Sequence, residues 1–208
     1  MKLIKYTLDF QHSPRSELPT VTQIHYTGGL GVATKWIRQS GAAVSYHCEI
    51  ARNGDVYLSV PWSREAWHSG SGEILIDTES RPWPNRYTIG IALSNCGLLV
   101  EEDGDFFYPA GGTLALYVGP NPVRARLEFD NGKRIEGWWE PYTPEAIDSL
   151  VQVLELIHET GYAQAASTLI GHEDTAMPLG RKIDPGPLFP WHALSATRLN
   201  PRTQGAAV

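Results

Sequence analysis

The segment from Gly171 to Pro187 packs a histidine, His172, the carboxylates Glu173, Asp174 and Asp184, and the cations Arg181 and Lys182 into a stretch dense in glycine and proline. Between Ile170 and Phe189 apolar residues are too sparse and irregular for a helix or a long strand, so backbone breakers must hold the polar side chains in a fixed loop. Lys182 and Asp184 are two positions apart. On a locally extended chain ending against Pro185 both point to the same side, which puts an ammonium and a carboxylate in one pocket. Two histidines occupy strand exits. His25 closes the β-branched run Val21 to Thr27 ahead of Gly28-Gly29, and His172 follows the apolar run Ser167 to Ile170. Two imidazoles and an aspartate are the donor set of a hydrolytic zinc site, which uses three protein ligands and keeps the fourth tetrahedral position for water. Spacing alone does not join His25 to His172, because no His-x-x-x-His pair fixes the geometry; His25 taken by itself reads as a partly exposed strand histidine.

These groups need a scaffold, and the chain is long enough to supply one. With 208 residues, 42% hydrophobic and 19% charged, it has globular composition and length for one sizeable core, expected as a single domain over residues 1–208. The net charge of −6 argues against a basic surface for nucleic acid or anionic lipid. No apolar run reaches the length of a membrane span, and Met1 to Lys5 lacks the apolar core of a secretory signal, so cytosolic synthesis is expected. Cys48 and Cys96 lack metal or redox spacing and read as core residues.

Val44 to Val60 reads as a hairpin about an Asn53-Gly54 turn, with Tyr46 on the inward face and His47 on the opposite one, away from anything Tyr46 touches. Ala33 to Gln39 reads as a short helix. Tyr87 to Ser94 reads as a central strand whose Thr88, Gly90, Ala92 and Ser94 face leaves room for a close neighbour or a ligand. Residues 95–141 read as an elaboration with strand fragments at Leu114 to Val118, Arg124 to Phe129 and Arg134 to Trp139. Of Trp138 and Trp139, adjacent on a strand, at most one can be core. Thr143-Pro144 caps a helix whose Ile147, Leu150, Val151, Leu154 and Ile157 form a core stripe before Gly161. Strands interleaved with helices describe an α/β or α+β domain with a mixed central sheet.

Five blocks occur here in a shared order: His25-Tyr26-Thr27-Gly28-Gly29, Ser45-Tyr46-His47 running into Arg52-Asn53-Gly54-Asp55, Trp67-His68-Ser69-Gly70, Thr88-Ile89-Gly90-Ile91, and Gly171-His172-Glu173-Asp174 to Gly180-Arg181-Lys182-Ile183-Asp184-Pro185-Gly186-Pro187. With them the sequence resembles the type 2 N-acetylmuramoyl-L-alanine amidases, zinc hydrolases related to phage lysozyme-type amidases and peptidoglycan recognition proteins. The resemblance runs from about Thr20 to Trp191. It implies a mixed sheet flanked by helices, Zn2+ bound by His25, His172 and Asp184, and Lys182 as the oxyanion partner. It further implies Tyr46 as the phenol that orients water or passes its proton, and a peptidoglycan or muropeptide substrate. His68 reads either as lining the substrate cleft or as a polar loop residue without a role. Glu173 and Asp174 read as a solvated turn or as support behind the ligands.

One position departs from the family. Recycling-type members, which act on released muropeptides in the cytosol, carry a glutamate base where this chain has Ala92, and an alanine accepts no proton. This favours a phage-type, wall-degrading role, with cytosolic recycling as the alternative. A non-catalytic peptidoglycan-binding module and a zinc peptidase of unrelated substrate are the readings from other classes.

Overall fold

The computed structural model describes residues 1–9, 11–199 and 201–207. Its centre is a seven-stranded sheet, in spatial order Leu3–Lys5, Val56–Leu58, Cys48–Ile50, Thr88–Leu93, Val21–Tyr26, Thr168–Gly171 and Thr197–Arg198. Only the pair Cys48–Ile50 and Val56–Leu58 is antiparallel, and the other neighbours run parallel. The mixed sheet expected from the sequence is therefore present. Thr88–Leu93 is buried along its whole length, as a strand covered on both faces must be.

One face of this sheet is covered by the helix Pro144–Glu159. The Thr143 hydroxyl accepts from the Ala146 N–H at 3.3 Å, and Pro144 occupies the first turn, so the helix starts where the sequence places it. Its buried stripe is Ala146, Leu150, Val153, Leu154 and Ile157, packed on Ile24, Ile50, Ile89, Ile91 and Leu93. Val151 does not belong to it and is 38% exposed; at 3.6 residues per turn Val153 points to the sheet instead. The short helix Thr34–Ser40 also forms.

The hairpin is shorter than its alternation suggests. Val44 to Tyr46 is not ladder, since the Ser45 N–H donates to Trp67 O at 2.9 Å, whereas His47 still meets the return arm, its carbonyl accepting the Ser59 N–H at 2.9 Å while its own N–H donates to Gly90 O at 3.0 Å. The alternation at Val44 to Tyr46 reflects burial against loops rather than a partner in the hairpin.

Residues 98–139 build a second, antiparallel sheet of six strands, in order Thr113–Leu116, Asp105–Ala110, Leu98–Glu102, Arg134–Trp139, Val123–Phe129 and Thr203–Ala207. The last strand comes from beyond the metal-ligand candidates, in a segment, Thr-Gln-Gly-Ala-Ala, whose composition carries little strand signal. Arg52 fixes the seam between the sheets with a bidentate pair to Glu140, at 2.7 Å to each carboxylate oxygen. Trp139 is 1% exposed and donates to Ala125 O, whereas Trp138 lies on the other side against Phe106, so one of the two is core. The turn of this sheet reaches the catalytic-type loop: Lys133 Nζ donates to Gly180 O at 2.5 Å, and Asn131 Nδ2 to Leu179 O at 3.2 Å. Among the described residues no helix is long and apolar enough to cross a membrane.

Candidate metal centre

Two neighbouring parallel strands deliver the histidines. Val21–Tyr26 pairs with Thr168–Gly171, with Ile24 opposite Gly171, so His25 and His172 leave the sheet side by side although 147 residues separate them. The loop after His172 returns through Asp184, whose carbonyl accepts from the Glu173 N–H at 2.8 Å. His25 Nδ1, His172 Nδ1 and Asp184 Oδ2 form a triangle with sides of 3.1, 3.0 and 3.0 Å, all three residues being buried. Ligands of a tetrahedral zinc, at about 2.0–2.1 Å from the ion, would stand roughly 3.3 Å apart, so the triangle is of the right size.

The outer hydrogen bonds fix which ring nitrogens carry protons. His172 Nε2 lies 2.9 Å from Ser69 O, which can only accept, so Nε2 bears the hydrogen and Nδ1 is a lone pair in the neutral ring. For His25 the chain is longer. Thr88 Oγ1 donates to Pro84 O at 2.8 Å and therefore accepts from His68 Nε2 at 3.4 Å. Ser69 Oγ donates to Gln23 Oε1, which leaves His68 Nδ1 to accept from His25 Nε2 at 3.0 Å. His25 Nδ1 is then a lone pair as well. Two lone pairs and a carboxylate oxygen facing one another at hydrogen-bond distance, with no proton among them, fit a cation at the centre and repel without one.

Comparison with known proteins gives the family and the fold. Residues 15–187 match the family described as N-acetylmuramoyl-L-alanine amidase. This chain belongs to that family. The 1,6-anhydro-N-acetylmuramyl-L-alanine amidase AmpD of Escherichia coli strain K12 is 28% identical over 148 residues, 71% of this chain and 55% of that protein. The chain spans about half the length of the curated relatives it matches. Among solved structures, a selenomethionine AmpD derivative superposes with a TM-score of 0.58 at 22% identity, over 94% of both chains. E. coli AmiD bound to anhydro-N-acetylmuramic acid-L-Ala-D-gamma-Glu-L-Lys gives 0.54 at 23% identity, over 90% of this chain and 61% of that one. The amidase LysC of Clostridium intestinale gives 0.54 at 16% identity, over 93% and 94%. These structural likenesses are of the α+β fold.

In this member of the amidase family, His68 does not line a cleft as expected. It is 5% exposed, beneath His25, and a Cβ at Gly90 would collide with its ring. The small face of the central strand thus makes room for an imidazole, not for a ligand. His47 accepts the Gly90 N–H at Nδ1 and contacts Arg64 O through Nε2, a structural role, and its ring lies 5.8 Å from His68. The Tyr46 ring does face the site, 5.3 Å from that of His25. Burial, with Asp184 and Glu49 adding to it, pushes the phenol far above its usual range, so Tyr46 keeps its proton. Lys182 makes no ion pair among the described residues and lies close enough to His25 to oppose its protonation, after burial and His172.

Glu173 and Asp174 are no solvated turn, at 1% and 2% exposure. Arg198 Nη2 bridges them at 3.2 and 2.9 Å, Glu173 Oε2 accepts the Gly186 N–H at 2.9 Å, and Asp174 Oδ2 accepts the Gly171 N–H at 3.2 Å. They brace both ends of the loop that carries His172 and Asp184. Arg198 gave no sign of this in the sequence, since its partners are brought to it only by the sheet.

Burial lowers three imidazoles here: His25 to about 4, with His172 next in effect, His47 to about 3, with Arg15 next, and His68 well below its ordinary 6.5. An unfolded chain takes up these protons near pH 6.5 while the folded one does not, so stability is full above that pH and falls toward pH 4. Burial raises the Glu173 carboxyl, to about 8, and that of Glu49, and these take up protons in the folded chain over the same range with the opposite sign, so the net loss in metal-free protein between pH 7 and 4 is expected to be smaller, on the order of 1–3 kcal/mol. Urea denaturation at fixed pH measures it, and imidazole NMR that finds His47 and His68 titrating near pH 6.5 would show that these rings are not buried neutral.

Proposed function

We propose that this chain is a zinc amidase that hydrolyses the bond between N-acetylmuramic acid and the L-alanine of the peptidoglycan stem peptide. The observation that carries this is the convergence of two imidazole lone pairs and the Asp184 carboxylate beside Lys182 in a member of this family. Zinc held there by His25, His172 and Asp184 supplies a Lewis acid that acidifies water and polarises an amide carbonyl. Lys182 places positive charge where the amide oxygen becomes negative. Tyr46, protonated, donates a hydrogen bond into the site and orients the attacking water or the developing tetrahedral oxygen.

Tyr46→Phe is expected to keep zinc and lose about tenfold or more in turnover. Ala92→Glu would restore the carboxylate of recycling-type relatives, but Ala92 stands in register between His25 and Glu49 on the flanking strands and is fully buried. Glu49 already places a buried carboxylate there, accepting from the Ala33 and Thr34 backbone and the Thr34 hydroxyl. Two adjacent buried carboxylates repel. Rescue of Tyr46→Phe is therefore expected from Ala92→Glu combined with Glu49→Gln, and less from Ala92→Glu alone; kcat on a soluble muropeptide reads it.

Ala92 and Tyr46 support a wall-degrading enzyme of the phage type. The AmpD relatives, whose names specify anhydro-muropeptides, favour the recycling reading. Purified sacculi and soluble anhydro-muropeptides, offered in parallel, distinguish them. Free stem peptide released from sacculi with glycan strands intact supports the lytic role, and release from the soluble substrate alone supports recycling. Binding without release from either substrate would leave a peptidoglycan-binding module.

A further inference from the structure

We propose that Asn85 is a positioning residue for the metal centre, setting its affinity by holding the outer hydrogen-bond partners of both histidine ligands; this rests on the metal reading above. Asn85 lies in the short 3-10 turn Pro84–Arg86, entered through Trp83 in the left-handed region at φ 63° and leading into the strand Thr88–Leu93. Its side-chain Oδ1 accepts two backbone N–H groups, from Ser69 at 2.9 Å and from His68 at 3.2 Å. Two N–H donors on one atom identify that atom as the amide oxygen.

What those two residues do next makes the contact consequential. The Ser69 carbonyl accepts from His172 Nε2, and the His68 ring accepts from His25 Nε2. One amide oxygen therefore fixes the backbone from which both second-nitrogen partners project. Thr88 closes the clip from the far side, its hydroxyl meeting His68 Nε2 and donating to Pro84 O. The turn is itself anchored, since Arg15 donates to Asn85 O at 3.2 Å, Arg86 O at 2.7 Å and Thr88 O at 3.0 Å. Partners of this kind hold a ligating imidazole in one tautomer and orientation, and their loss typically costs about 10–100-fold in metal affinity. Asn85 acts one bond further out, but on two ligands at once.

The test is zinc affinity of the whole chain, by competition with a chromophoric chelator, for wild type, Asn85→Leu and Asn85→Asp. Asn85→Leu removes the acceptor and is expected to weaken zinc binding by about 10–100-fold. Asn85→Asp keeps an oxygen for both N–H groups and is expected to stay within about threefold of wild type. Asn85→Ala carries the same expectation as Asn85→Leu and serves if the bulkier variant does not fold. Imidazole nitrogen NMR of metal-free protein gives a second readout: the fixed tautomers of His25 and His172 should become mixtures in Asn85→Leu and remain single in Asn85→Asp. Wild-type affinity in Asn85→Leu and Asn85→Ala, or equal weakening by Asn85→Leu and Asn85→Asp, overturns the proposal while leaving the metal site in place. A wild-type chain that binds no zinc overturns the metal reading and this proposal with it.

Discussion

Asp184→Ala is expected to yield a folded chain that no longer holds stoichiometric zinc and has no measurable amidase turnover. Asp184 Oδ2 touches both ligand nitrogens at 3.0 Å, and its carboxylate is the negative charge of the triangle. Removing it leaves two neutral nitrogens 3.1 Å apart and a divalent ion with no compensating charge. If three protein ligands share a binding free energy of about 10 kcal/mol, losing one costs about 3 kcal/mol, a hundredfold or more in affinity. His172→Ala is expected to do the same and also to strand the Ser69 carbonyl. Elemental analysis after dialysis decides it: folded Asp184→Ala and His172→Ala proteins that retain one zinc per chain would show that the site lies elsewhere.

Lys182→Ala separates charge stabilisation from metal binding. An ammonium is no zinc ligand, so the variant should keep its metal. Turnover should fall by roughly 100–1,000-fold, as loss of a preorganised oxyanion donor does elsewhere, with KM nearly unchanged. Arg181→Ala is the control. Its guanidinium is committed to Met177 O and Ser71 O, so it holds the loop and should affect stability more than kcat. A Lys182→Ala enzyme within a few fold of wild type would leave the metal and Tyr46 to carry the reaction without it.

The parts legible in the sequence were those whose cause is local. A helix capped by Thr143-Pro144, a strand of alternating Ile and small residues, and a Gly-Pro loop too polar to be core each carry their reason within a few residues. His25 and His172 could be placed at strand exits for the same reason, whereas their meeting depends on parallel pairing of Val21–Tyr26 with Thr168–Gly171, which no spacing encodes. A polar residue in a Gly-Ser loop, as His68 is, looks exposed, and only the missing Cβ of Gly90 allows its ring to be buried. Asn85 carries no signal in the sequence, because its side chain serves backbone N–H groups, and those leave no trace in residue type. Arg198 and the strand Thr203–Ala207 are tertiary throughout: both earn their role from partners far upstream, Glu173 and Asp174 for one, Val123–Phe129 for the other.

That late segment has a consequence for the order in which the chain emerges during synthesis. All three ligand positions are made before Arg198, yet Glu173 and Asp174, on which the ligand loop is braced, remain two adjacent buried carboxylates until its guanidinium arrives. Thr203 then bonds Glu173 at 2.9 Å, and its strand lies against Pro187 through Gly205, where no side chain would fit. The two carboxylates that brace the candidate ligand loop are thus paired only once the later segment from Arg198 to Thr203 has joined the fold.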